Sequence, residues 1–122
     1  MSRADQITKQ IKTLANTTPD IEALAVIDND GLIIASALPQ GVEEDAVAAM
    51  SAALLGIGER IARELARGKF ELMMVRGDQG YLILVRSGPE AVLAALTTKQ
   101  SKLGLVFLDT TRAAAEVGKL LG

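Results

Sequence analysis

In the front half of the stretch from Glu43 to Arg67, over Ala46–Gly58, the chain carries a helical pattern with no polar back. Val47, Met50, Leu54, Ile57, Ile61 and Leu65 recur at i, i+3, i+4 and i+7 spacing, which predicts one continuous apolar stripe on an α-helix. The opposite side holds Ala49, Ala52, Ala53 and Gly56 where charges would be expected. A helix on a domain surface normally solvates its outer face. The pattern therefore predicts a helix covered twice: its large-residue stripe on its own sheet, its Ala/Gly side against something else.

The rest of the chain alternates between the two periodicities. Ile7, Ile11 and Leu14 form a narrow stripe over Arg3–Ala15, with Ser2 as N-cap and Asp5 in the first turn; Thr17, Thr18 and Pro19 end it. Ala23–Ile27 and Leu32–Ala35 are apolar runs joined by Asp28-Asn29-Asp30-Gly31, which reads as a hairpin with Gly31 at positive φ beside a bulge. After the long helix, Gly68 is the expected C′ residue. Three more strands are expected over Phe70–Val75, Tyr81–Val85 and Ala91–Thr97, with turns at Gly77-Asp78-Gln79-Gly80 and Ser87-Gly88-Pro89-Glu90. Runs such as Leu72-Met73-Met74-Val75 and Leu82-Ile83-Leu84-Val85 do not alternate, so helices are expected on both faces of the sheet. A final helix, Leu103–Leu121, covers one face together with the first. The order αββαβββα gives an α+β sandwich around a five-stranded antiparallel sheet.

Length and composition narrow the function. The 122 residues suit one domain spanning 1–122, and with 2% aromatics its core must rest on aliphatic and alanine packing. A net charge of −2 offers no broad field for nucleic acid or an anionic membrane. The chain has no Cys and no His, which excludes zinc fingers, disulfide frameworks and Cys- or His-based nucleophile–base pairs. No segment reaches the roughly 18 apolar residues that span a bilayer, and the N-terminus is not a signal peptide, so a cytoplasmic protein without membrane insertion is expected.

No constellation of catalytic groups emerges. Gly56-Ile57-Gly58-Glu59-Arg60-Ile61 lacks the third glycine of a dinucleotide fingerprint and lies mid-helix. Gly68-Lys69 fails as a phosphate loop, because Arg63 stands where its first glycine belongs and Phe70 where Ser or Thr belongs. Asp28 and Asp30 suit a turn, and Glu43-Glu44-Asp45 suit a helix N-terminus, better than a cation site. Ser36, Thr97, Thr98 and Tyr81 have no nearby base. Arg60, Arg63 and Arg67 share one helical side and are candidates for an arginine finger, although Glu59–Arg63 and Glu64–Arg67 pairing is the plainer expectation. The protein is expected to be no enzyme and to need no cofactor or metal.

Association is the stronger signal. Mid-helix glycine costs about 1 kcal/mol relative to alanine, a cost better understood for Gly56 and Gly58 where a second backbone comes close. Phe70–Val75, with Glu71 as its one charge, would be an aggregation template if it lay bare at a sheet edge.

The whole chain resembles the Roadblock/LC7 family, including bacterial and archaeal members similar to gliding-protein B. The resemblance rests on the order of elements and on Ala25-Val26-Ile27-Asp28 leading through Asn29-Asp30-Gly31 into Leu32-Ile33-Ile34-Ala35. The Ala-rich helix, the Lys102-Leu103-Gly104-Leu105-Val106 entry to the last helix and Thr111-Arg112 also match. It implies a profilin-like α/β/α sandwich with strand order 2-1-5-4-3. It also implies a homodimer in which third strands pair and second helices pack together. On that basis Ala49, Met50, Ala53, Gly56, Ile57, Phe70, Leu72, Met73, Met74 and Val75 are the candidate dimer interface. The family's non-catalytic roles imply regulation or scaffolding of a small Ras-like GTPase, in one branch activating it as a dimer without donating an arginine. Glu59, Arg60, Arg63 and Arg67 are the candidate GTPase-facing surface. An assembly adaptor that pairs with another Roadblock chain or a motor or kinase component is the alternative.

Overall fold

In a computed structural model covering residues 1–122, the elements run α1 (Arg3–Thr17), β1 (Ile21–Asp28), β2 (Ile33–Ala37), α2 (Glu44–Glu64), β3 (Leu72–Gly77), β4 (Gly80–Ser87), β5 (Ala91–Thr98) and α3 (Leu103–Leu121). All strand pairs are antiparallel, and the sheet order is β2-β1-β5-β4-β3. The sequence order of hairpins is thus kept, and β5 returns between β1 and β4. No helix is long and apolar enough to cross a membrane.

Two cores explain why the strands look apolar on both faces. Leu24 and Val26 point with Ile83, Val85 and Leu93 toward α1 and α3, where Ile7, Ile11, Leu14, Val106 and Val117 meet them. Ala25 and Ile27 point the other way with Leu84, Val92 and Ala94, toward Ala48 and Leu55 of α2. Adjacent residues of one strand thus serve opposite layers.

Local chemistry fixes the ends of these elements. The Asp5 N–H donates to Ser2 Oγ at 3.1 Å and the Ser2 N–H to Asp5 Oδ2 at 3.2 Å, a reciprocal cap at the start of α1. Thr18 Oγ1 donates to Asp109 Oδ2 at 2.8 Å, tying the end of α1 to α3. Gly31 adopts φ 89°, and the β1–β2 register slips between Val26 and Ile27, as the hairpin sequence predicts. Ser87 Oγ donates to the Ala114 carbonyl at 2.7 Å, where α3 and the β4–β5 turn approach so closely that both Gly88 and Gly118 are required.

Several expectations need correction. The long helix ends at Glu64, and the residue in the left-handed C′ conformation is Ala66 at φ 57°, not Gly68. The Arg67 N–H donates to the Ala62 carbonyl at 2.7 Å and the Ala66 N–H to that of Arg63 at 3.2 Å, a Schellman closure two residues earlier than expected. Phe70 lies outside β3, because its ring turns under α2 against Gly58. The expected helical cover does not reach β3, where Leu72, Met74 and Val75 stay exposed.

Candidate interaction surface

Helix α2 sits on the sheet through small residues. Ala48, Ser51, Leu55 and Gly58 are its buried positions, spaced i, i+3, i+7 and i+10, and Ala52 closes on Gly31. The stripe expected to face the sheet is split. Val47 and Leu54 reach the sheet layer, but Met50 is 61%, Ile57 54%, Ile61 50% and Leu65 62% exposed. Close approach to the sheet selects small side chains, so the larger ones lie outside. Ala49, Ala53 and Gly56 are exposed beside them. The outer face of α2 is therefore apolar and unpartnered over most of its length.

This face continues toward the bare sheet edge. In β3, Met73 and Val75 point to the α2 side, and Leu72 and Met74 to the other. A groove of about 490 Å³ runs between α2 and the outer sheet, lined by Met50, Ala53, Leu54 and Ile57 on one side and Val75, Leu82 and Leu96 on the other. Its floor is almost wholly apolar, with Ser51 the exception. Surfaces of this kind mark protein–protein contacts when they are contiguous.

The far end of α2 differs. Arg86 Nη1 donates to Asn29 Oδ1 at 2.8 Å and to the Ala91 carbonyl at 3.2 Å, and Nη2 donates to the Pro89 carbonyl at 3.3 Å. Asn29 Nδ2 also donates to the Pro89 carbonyl, at 3.0 Å, so one guanidinium and one amide lock both hairpin turns together. Glu59 Oε2 lies 3.6 Å from Arg86 Nη2, and Arg60 Nε donates to Glu64 Oε1 at 3.0 Å. The expected Glu59–Arg63 and Glu64–Arg67 pairs do not form. A cleft of about 670 Å³ opens here among Glu59, Arg63, Gly68, Lys69, Phe70, Arg86, Gly88 and Pro89.

Comparison with known proteins places this arrangement. The Roadblock/LC7 domain model matches residues 8–97. The chain belongs to the Roadblock/LC7 family. It is 38% identical to the uncharacterised protein MJ1340 of Methanocaldococcus jannaschii over 102 residues, covering 84% of this chain and 89% of the relative. Among solved structures it is similar to Myxococcus xanthus MglB, with a TM-score of 0.91 at 20% identity over 99% of this chain and 91% of that one. One chain of the crystal structure of a LokiProfilin1/rabbit actin complex shares the fold at a TM-score of 0.67 and 17% identity, with 98% of each chain covered. The fold of this Roadblock/LC7 domain is thus profilin-like.

The candidate residues fall into three groups in the Roadblock/LC7 domain. Ala49, Met50, Ala53, Gly56 and Ile57 lie exposed along α2, and Leu72, Met74 and Val75 along β3. Phe70 and Met73 instead turn inward, packing on Gly58 and the α2-side core. This accounts for Gly58 without a second chain, whereas Gly56 faces open space. Glu59, Arg60, Arg63 and Arg67 gather at the end of α2, with Arg60 engaged by Glu64 and Glu59 by Arg86. Sequence reading missed Leu82 and Leu96 as groove walls, and Arg86 and Lys69 in the polar cleft. Arg86 had a signal: it is the one charge in the otherwise apolar run of β4.

The small acidic groups have local structural uses. Asp28 Oδ1 accepts from the Asp30 and Leu32 N–H groups at 2.9 and 3.0 Å, shaping the hairpin turn. Glu44 Oε1 accepts from Ser36 Oγ at 2.7 Å. No three carboxylates cluster as metal ligands.

Proposed function

We propose that this Roadblock/LC7 domain is a non-catalytic homodimeric platform that regulates or scaffolds a small Ras-like GTPase in the cytoplasm. One observation carries the reading: an apolar helix face, an apolar groove and an unpaired strand edge lie side by side and uncovered. Edge-to-edge pairing of β3 with its copy would satisfy the free backbone groups of Leu72–Gly77. A two-fold axis there would bring the Met50–Ile57 face of α2 toward its own counterpart. A stable dimer of this sort buries roughly 2,000 Å² or more. The GTPase part follows from family membership and from the role the resemblance implies.

Two measurements test it. Light scattering should give twice the chain mass at micromolar concentration. Single-turnover GTP hydrolysis by a small Ras-like GTPase encoded beside this gene should change when the protein is added. A monomer throughout would overturn the dimer. Absence of both binding and rate change with any such GTPase, alongside capture of a Roadblock, motor or kinase component, would replace regulation with the adaptor role.

A further inference from the structure

The cleft at the C-terminal end of α2 has a chemistry that differs from the rest of the molecule. Three of the 13 basic residues, Arg63, Lys69 and Arg86, line it with a single acid, Glu59, in a chain whose net charge is −2, and Arg67 lines the adjoining hollow with Lys69 and Phe70. Arg86 is committed internally, to Glu59 and the hairpin turns. Arg63, Arg67 and Lys69 are exposed and have no ion-pair partner. Glu71 lines the adjoining hollow with Arg67 and Lys69, so the two hollows together hold four basic residues against two acids.

The cleft is also built rather than merely charged. Phe70 forms one wall, held by Gly58, and Gly88-Pro89 forms another, held by Arg86 and Asn29. Of the candidate dimer residues it includes Phe70 alone, so a pair of chains joined through β3 would leave two such clefts free.

We infer that this cleft docks an acidic peptide segment of a partner protein, with carboxylates on Arg63 and Lys69, and on Arg67 where the segment runs into the adjoining hollow, and an apolar side chain against Phe70 and Pro89. Guanidinium groups bind carboxylates through paired, charge-assisted hydrogen bonds. The apolar walls favour a peptide over a bare polyanion, which would need a longer basic track. The inference rests on the proposed platform role only for the partner that carries the segment.

Fluorescence anisotropy tests it with a labelled peptide of alternating Glu and Leu, against a Lys–Leu peptide and an oligo-dT strand of equal charge. The acidic peptide should bind, and binding should weaken as salt rises. The Arg63→Glu/Lys69→Glu variant should lose about tenfold or more in affinity, while Arg112→Glu on α3 should not. Equal loss with Arg112→Glu, equal binding of oligo-dT, or no binding of the acidic peptide would each overturn the inference. Pull-down of the neighbouring GTPase with the same variants separates the two readings. A GTPase captured equally by wild type and the double variant, with no binding of the acidic peptide, removes the cleft but keeps the platform. Peptide binding without any GTPase capture keeps the cleft and removes that partner.

Discussion

Gly56 and Gly58 are two residues apart and do opposite things. A Cβ on Gly58 would lie 2.8 Å from the Phe70 ring and 3.0 Å from Met73 Cε, whereas one on Gly56 meets nothing within 4 Å. Overpacking costs about 1–3 kcal/mol and alanine regains roughly 0.5–1 kcal/mol within a helix. Gly58→Ala should therefore lower stability by up to about 2 kcal/mol in urea unfolding. Gly118→Ala should cost at least as much, because its Cβ would lie 2.9 Å from the Gly88 nitrogen, a backbone atom that cannot swing aside. Ala66 presents the reverse case. Its φ of 57° is a conformation that costs an L-residue roughly 1–2 kcal/mol and glycine almost nothing. Part of that gain is returned through the freer unfolded chain. Ala66→Gly should still raise stability by about 0.5–1 kcal/mol, readable as a higher urea midpoint at unchanged slope. A lowered midpoint would mean that the Schellman closure at Ala62–Arg67 does not hold in solution.

For the elements, hydrophobic periodicity located every helix and strand, because burial on a sheet or helix leaves periods that a single sequence records. It did not say which side of α2 faces inward. The stripe argument assumed that larger apolar residues go to the sheet, but Ala48, Ser51 and Gly58 face it because the helix lies close to Gly31 and Phe70. Close packing by small residues leaves a weaker trace in a sequence than burial of large ones does. The bare edge of β3 was equally unreadable from its own residues, since Leu72–Val75 resembles a central strand; strand order came from the family resemblance. The two elements make a joint prediction. Gly56→Glu and Val75→Lys each fit the isolated chain, since one faces open space and the other is 44% exposed. Both should leave circular dichroism unchanged while light scattering falls toward half the wild-type mass. Gly56→Ala, small and helix-favouring, should reduce association less than Gly56→Glu. Wild-type mass in both charged variants would place the contact elsewhere.

For the whole molecule, the question is how the proposed platform would change a GTPase rate. Two routes make different numerical demands. An arginine supplied to the transferring phosphate contributes about 10³-fold or more, so its removal abolishes activation even when the complex is saturated. A dimer that reshapes the GTPase's own residues needs its arginines only for affinity, and saturation restores the rate. Arg86 is held by both hairpin turns, which leaves Arg63 and Arg67 to reach a partner, and Arg60 as well at little more than the cost of its exposed pair with Glu64. The proposed platform expects the second route. Arg63→Ala and Arg67→Ala should raise the concentration needed for half-maximal activation by about tenfold at most, with the saturating rate within a few-fold of wild type. Val75→Lys should abolish activation at every concentration reached, because the composite surface would no longer exist. Hydrolysis measured over a titration of each variant separates the routes. A saturating rate that falls about a thousandfold in Arg63→Ala or Arg67→Ala would show that this chain donates its arginine after all.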